Sequence, residues 1–356
     1  MNKPFFFFLM LLLSTASYSQ TIRGRVIDSE TKLPLEGATV FAQNTTRGVI
    51  TDKEGQYTIT LGKGGFELIF SFSGYENKTA NLDVTADREL NIELHKADNS
   101  MSEVVIRNSN EVENGWELHG PFFLSAFIGS TPFSDSCLLH NPQALKFLYY
   151  KRNDRLKILA TEPLLIENRA LGYNLRYQLD SFVHFNQSGI SSYRGYCFFT
   201  EMEGSEEEKQ RWKENREKAY YGSRLHFLRS YYDSSLKQDG FTVDILSTRT
   251  ANKFDRLNNP YDTAYYFFDD ATQNAELYFP TRVSITYHKG TPEARYLQHY
   301  KLPADVKTQI SYVDLLEGIV INPNGYFSDQ KSWVNQGYWS WKNLGDLLPY
   351  DYDPSR

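Results

Sequence analysis

The chain has 356 residues, 40% of them hydrophobic and 23% charged, with a formal net charge of −6. That length accommodates about two domains, and ordinary Gly, Pro and apolar contents exclude a disordered or fibrous chain. The mildly acidic balance lacks the basic footprint that nucleic-acid binding needs.

The chain begins Met1-Asn2-Lys3, continues through ten apolar residues from Pro4 to Leu13, and reaches Ser17-Tyr18-Ser19. A short basic start, an apolar core and small residues before a cut are the anatomy of a secretory signal peptide. Ten apolar residues fall well short of the roughly 20 that span a bilayer. Cleavage is expected between Ser19 and Gln20. No Cys lies near the cut, which argues against a lipid anchor, and no later stretch reads as a membrane helix. A soluble mature chain is expected in the periplasm or on the periplasmic face of the outer membrane.

From residue 21 to about residue 98, short strand-like runs follow one another: 21–27, 38–43, 48–51, 56–61, 67–71, 78–84 and 89–94. Turn formers such as Asp28-Ser29, Lys53-Glu54-Gly55 and Gly62-Lys63-Gly64-Gly65 separate them. Seven short strands with no helical period predict a small antiparallel sandwich. The run TDKEGQYTITL places Asp52, Lys53, Glu54 and Gly55 ahead of alternating Tyr57, Ile59 and Leu61. It offers too few oxygens for calcium, which takes six or more. It is expected to be a hairpin turn, with a positive φ at Gly55.

The strings GRVIDSETKLPLEGATV, GVITDKEGQYTI and FSFSGYE resemble the carboxypeptidase-regulatory-like family. The residues that carry the resemblance are Gly24, Val26, Asp28, Pro34, Leu35, Gly37, Ala38, Val40, Thr51, Asp52, Gly55, Tyr57, Phe72, Gly74 and Tyr75. It covers a fifth to a quarter of the chain. The resemblance implies a seven-stranded transthyretin-like β-sandwich over residues 20–98, of the kind found at the N-terminus of exported Bacteroidetes proteins, outer-membrane transporters included. It does not bring peptidase chemistry. A catalytic zinc site needs three protein ligands and an open position, and none of the seven histidines begins a His-x-x-Glu pair. No metal and no cofactor are expected.

Residues 99–115 read as a linker. Within it Glu103-Val104-Val105-Ile106 resembles the box by which transporters pair with a TonB-type coupling protein through strand addition; the plainer reading is an edge strand or tether. The remaining 240 residues are too few for a 22-stranded transporter barrel.

Residues 116–356 are expected to form an α+β domain with a β-sheet and a helical hairpin, so the whole chain is mainly β / α+β. Asn141 to Phe147 suggests a turn and a short helix. Strands are expected at 157–160, 164–166, 171–179, 190–200, 243–246, 265–269, 282–288, 309–314 and 318–321. Residues 171–179 alternate strictly, with Leu171, Tyr173, Leu175, Tyr177 and Leu179 on one face. Ser205 and Glu208 form a capping box ahead of a charged helix around Trp212, with expected i,i+4 pairs Glu207–Arg211 and Glu214–Lys218. After Gly222-Ser223 a second helix is expected from about 224 to 237, closed by Asp239-Gly240. The strings EPLLIENRALGYNLRYQL, YYGSRLHFLRS and GYWSWKNLGDLLPYDY resemble an exported Bacteroidetes family of unassigned function.

Candidate functional residues are few. Cys137 and Cys197 could pair in an oxidising compartment, or stay separate buried thiols. Aromatic residues make up 15% of the chain; they suit strands, or an aromatic surface for sugar or peptide. Trp116, Tyr220, Tyr221, Arg224, His226 and Arg229 combine aromatic, cationic and titratable groups, either as an anion or glycan contact or as a helix with one packed face. The nucleophile elbow, phosphate loop and dinucleotide fingerprint are absent. The sequence therefore favours a non-enzymatic binding or assembly protein of the cell envelope, with the sandwich as interaction module and a protein or glycan as partner. Two alternatives stay open: a hydrolase of glycan or peptide with a dispersed site in 116–356, and an accessory of TonB-linked transport.

Overall fold

The computed structural model describes residues 20–97, 110–250, 253–327 and 330–355. The expected signal peptide and Glu103–Ile106 lie outside the described residues. The sandwich is built from β1 (Gln20–Asp28), β2 (Thr39–Ala42), β3 (Gly48–Ile50), β4 (Gln56–Leu61), β5 (Gly64–Ser71), β6 (Lys78–Val84), β7 (Arg88–Glu89) and β8 (Ile92–Leu94). One sheet runs β4-β1 with β7 and β8 sharing the far side of β1; the other runs β3-β2-β5-β6. The expected seventh strand is split in two, because the Leu90 carbonyl accepts from the Tyr57 hydroxyl and the Arg25 amide donates to the Asn91 side chain instead of to the strand backbone. Val26, Val40, Ile59, Leu68, Phe70 and Leu94 form the core between the sheets.

The residues that carried the family resemblance have physical tasks here. Asp28 is buried and accepts from Tyr75 Oη at 2.5 Å and from the amides of Glu30 and Thr31 at 2.8 Å. These bonds, Tyr75's above all, hold its carboxyl well below the usual range. Asp52 Oδ1 accepts from the amides of Glu54 and Gln56, and Gly55 has φ 72°, so TDKEGQYTITL is a hairpin turn.

The remainder begins with α1 (Gly115–Phe127), which the sequence did not suggest. Then come β9 (Cys137–Leu139), β10 (Leu145–Tyr150), β11 (Arg155–Ala160), β12 (Leu164–Asn168), β13 (Tyr173–Phe185) and β14 (Ile190–Glu201). They form a sheet of order β10-β11-β13-β12-β9, with β14 along the free side of β13. The short helix expected after Asn141 is a single 3₁₀ turn, Pro142–Ala144; from Leu145 the chain is strand, paired with β11 and hydrogen-bonded by residues 110 and 112 on its other side. Phe123 and Phe127 of α1 meet Phe182, Tyr177 and Tyr193 at 5.0–5.3 Å between ring centroids, which closes this core.

Helix α2 (Glu206–Tyr220) starts at the expected capping box: Ser205 Oγ accepts from the Glu208 amide while Glu208 accepts from the Ser205 amide. Its ion pairs are i,i+3, Glu206–Lys209 and Glu208–Arg211, instead of the expected i,i+4 pairs. Nor is it wholly solvated. Trp212 Nε1, Asn215 Nδ2 and Arg216 Nε donate to the carbonyls of Arg169, Ala170 and Leu171, so the helix caps the turn between β12 and β13. The expected second helix is two, α3 (Arg224–Tyr232) and α4 (Leu236–Asp239), because Ser234 takes a left-handed φ of 56°. Gly240, at φ 92°, ends α4.

The last part comprises β15 (Phe241–Leu246), β16 (Phe254–Arg256), β17 (Tyr266–Asp269), β18 (Asn274–Leu277), β19 (Val283–Tyr287), α5 (Ala294–His299), β20 (Gln309–Leu315), β21 (Ile319–Ile321), β22 (Trp333–Gly337) and α6 (Tyr338–Trp341). A five-stranded sheet runs β16-β15-β19-β20-β22 and a three-stranded one β17-β18-β21. Phe227, Leu228 and Tyr231 of α3 pack into a core shared with Phe241, Ile285, Val313 and Trp339. Three sheets thus stand where the sequence suggested one, and the chain is mainly β.

Candidate functional site

The residues singled out on α2 and α3 do meet. The His226 ring lies 4.9 Å from Tyr220, 5.3 Å from Tyr221, 5.0 Å from Phe241 and 5.8 Å from Tyr287. Burial pushes its pKa down to about 4, so the imidazole is neutral and its Nδ1 accepts the Gly222 amide at 3.1 Å. Arg229 is equally committed: Nη1 donates to Tyr352 O, Nη2 to Tyr350 O and Nε to Asn324 O, all at 2.9–3.1 Å. This group clamps the C-terminal tail to α3. Arg224 lies over the Phe327 ring at 5.6 Å. Trp116 is elsewhere, packed on Gly120 and the core beneath α1.

A second location has the shape of a site. Between α1 and the α5–α6 region lies a cleft of about 610 Å³, lined by Ser130, Ser134, Asp135, Arg295, Gln298 and Trp341 among others. The loop after α1 forms its floor: Gly129, at φ 115°, leaves no room for a Cβ beside Ser134 Oγ. Ser134 Oγ donates to Ile128 O and lies 3.0 Å from Thr131 Oγ1, which donates to Asp346 Oδ2 at 2.7 Å. Asp346 is 6% exposed, its Oδ1 has no protein partner, and burial pushes its pKa up to about 6. Arg295 Nη1 and Asp135 Oδ2 pair at 2.6 Å on the rim. Trp341 Nε1 donates to Glu293 Oε2 at 3.1 Å, which fixes the indole. The sequence reading missed this cleft because its residues come from positions 124–137, 295–299 and 341. The signals that could have found it are the dense aromatic run at 338–341 and an Asp set in the apolar string LGDLLP.

Cys137 and Cys197 are free thiols. They lie on β9 and β14, with β12 and β13 between. Three strand spacings alone separate them by roughly 14 Å, twice the span that a disulfide bridges, and a register offset of four residues adds to it. Burial pushes the Cys137 thiol up to about 12 and Cys197 higher. Among the described residues, no group of three or more His, Cys, Asp or Glu is placed to hold a metal ion, and no helix is long and apolar enough to cross a membrane.

Residues 22–106 match the sequence profile of the family described as CarboxypepD_reg-like domain. This stretch is a CarboxypepD_reg-like domain. The chain is also similar to TonB-dependent receptor P39 of Formosa agariphila, at 30% identity over 105 residues, 28% of this chain and 10% of the relative. TonB-dependent receptor P26 of the same organism is 35% identical over 89 residues, 25% of this chain and 8% of that one. The match thus spans about a tenth of these relatives' length. Among solved structures, 3-chlorocatechol 1,2-dioxygenase from Rhodococcus opacus aligns at 14% identity and TM-score 0.19 over 22% of this chain and 60% of that one. A type II cohesin–X-dockerin complex from Acetivibrio cellulolyticus aligns at 23% and TM-score 0.20 over 32% and 76%.

The CarboxypepD_reg-like domain is fastened to the rest of the chain at two places. Its β2–β3 loop lies along β14: Asn44 N donates to Cys197 O, Phe199 N to Thr45 O, and Phe41 meets Phe198 at 5.4 Å. The same loop holds the tail, through Tyr350 N to Asn44 O and through Asp351, which accepts from the amide and hydroxyl of Thr46 and pairs with Arg47 at 3.2 Å. At the second place Asn322 donates to Asp83 and Asn274, Asn324 to Gly65 O, and Tyr326 Oη to Asn81. A Cβ at Gly65 would lie 2.0 Å from Asn322 Oδ1, so the close approach needs glycine.

Proposed function

We propose that this protein is an exported binding or assembly component of the cell envelope, associated with outer-membrane transport and acting without catalysis, in which the CarboxypepD_reg-like domain is the interaction module. One observation carries the reading. The CarboxypepD_reg-like domain, in a chain similar over about a quarter of its length to TonB-dependent receptors, is bonded at two places to the body behind it, and so forms a fixed platform. Among the described residues, Leu33 and Ile50 of that platform are 63% and 69% exposed. The basic start and apolar run at residues 1–13 support export, with the mature chain beginning at Gln20 in the periplasm or on the periplasmic face of the outer membrane.

The test is in-cell photo-crosslinking from Ile50, combined with fractionation of a Bacteroidetes-type host. An adduct with an outer-membrane transporter, on a chain whose N-terminus is Gln20, is the expected result. A chain retained in the cytoplasm, or without an envelope adduct, contradicts it. Sustained turnover of peptides or polysaccharides by the purified chain would replace the binding reading with the hydrolase one.

A further inference from the structure

The cleft between α1 and α5–α6 belongs neither to the CarboxypepD_reg-like domain nor to its attachment. Its volume falls within the range of small-molecule sites, about 300–1,000 Å³. Its chemistry is mixed in a particular way. Ser130 offers a hydroxyl, Ser134 an acceptor oxygen whose own proton goes to Ile128 O, Gln298 an amide, and Arg295 and Asp135 planar groups that can each form two hydrogen bonds side by side with a ligand. Arg295 and Asp135 neutralise each other, so the cleft has no net preference for an ion. Both side chains are 54% exposed; an exposed pair contributes little and is readily exchanged for bonds to a ligand.

The apolar lining is Leu124, Ile128, Cys137 and one aromatic face, the Trp341 indole. Trp341 is held by Glu293, met edge-on by Tyr296 at 5.8 Å and flanked by the tilted ring of His299 at 5.4 Å. An amphipathic ring locked in place presents contact area with little loss of conformational freedom on binding. A ligand that suits these groups has a CH-lined face for the indole and several hydroxyls for the serines, the amide and the planar pair. It carries no net charge, because an anion would meet Asp135 and a cation Arg295. We propose that this cleft binds a short neutral saccharide, stacked on Trp341 and hydrogen-bonded by Arg295, Asp135 and Gln298. The inference rests on the envelope-binding reading and names the ligand class of a second site on the same protein.

The test titrates the chain from Gln20 to Arg356 with cellohexaose, laminarihexaose, maltohexaose and chitohexaose. Binding is followed by calorimetry and by the Trp341 indole N–H resonance, assigned by its loss in Trp341→Phe. At least one hexasaccharide is expected to bind saturably and shift that resonance. Arg295→Ala and Gln298→Ala, both at exposed positions, should each weaken binding at least fivefold with unchanged melting temperature, and Trp341→Ala at least tenfold. If no hexasaccharide shifts the resonance, or the Arg295 and Gln298 variants bind like the parent, the inference is overturned. Failure here with intact crosslinks from Ile50 removes only the saccharide; lost crosslinks with intact saccharide binding remove only the transport-associated reading.

Discussion

Asp346 and His226 make stability depend on pH in opposite directions, and one substitution separates them. Asp346 is buried, which raises its pKa; Lys342 and the bond from Thr131 favour its ionised form and Glu293 opposes it. Its pKa rises from 3.8 to about 6, so between those values the folded chain holds a proton that the unfolded chain has released. Stability from this group therefore falls as pH rises through that window. A shift of about 2 units corresponds to roughly 3 kcal/mol. His226 is the mirror image. Its pKa falls from 6.5 to about 4, so the unfolded chain binds the extra proton and stability rises with pH over nearly the same range, again by roughly 3 kcal/mol. In the parent chain the two slopes largely cancel. Asp346→Asn removes one of them. Urea denaturation at pH 4, 5, 6 and 7 should show the difference between variant and parent growing in the variant's favour by about 3 kcal/mol from pH 4 to pH 7. An amide nitrogen placed where Oδ1 has no partner costs about 1–3 kcal/mol at every pH, which offsets the curves without altering the slope. Parallel curves would refute the reasoning.

Three further outcomes follow. Gly55→Ala forces a side chain into φ 72° and a Cβ to 2.5 Å from Val26 O; it should lower unfolding free energy by about 2 kcal/mol or more in urea titrations, and a loss below 0.5 would contradict the turn. Arg229→Ala strands three carbonyls, two of them at the tail, so a loss of about 3 kcal/mol is expected, with the tail becoming susceptible to carboxypeptidase digestion. Alkylation in urea without reductant should add two labels per chain, while the native protein reacts slowly at Cys137 and not at Cys197; a mass without labels would show a disulfide.

The sandwich was legible because its signals are local. Asp52 and Gly55 determine a turn, Tyr57, Ile59 and Leu61 a face, and neither depends on distant contacts. Strand β13 was legible for the same reason, as was the capping box at Ser205. Helix α1 was not: Gly115, Gly120 and Pro121 all argue against a helix, yet Gly115 seats it on Phe147 and burial of Phe123 and Phe127 outweighs propensity. The 220–229 cluster was visible as a cluster but not as a clamp, because the carbonyls that Arg229 holds lie more than 90 residues away. Asp351 carries no local signal for its bonds to Thr46 and Arg47, about 300 residues away in the chain. The cleft left only local traces, the aromatic run at 338–341 and the Asp in LGDLLP, since its floor, rim and indole converge only through tertiary packing.

The central claim is that the CarboxypepD_reg-like domain is the face that meets the envelope partner. The measurement that tests it most directly is the yield of photo-crosslinked adducts in living cells from a label at Ile50, compared with the same label at Phe267, which is 57% exposed on the body of the protein. The account predicts an adduct with an outer-membrane transporter from Ile50 and little from Phe267. Equal yields, or an adduct from Phe267 alone, would contradict it.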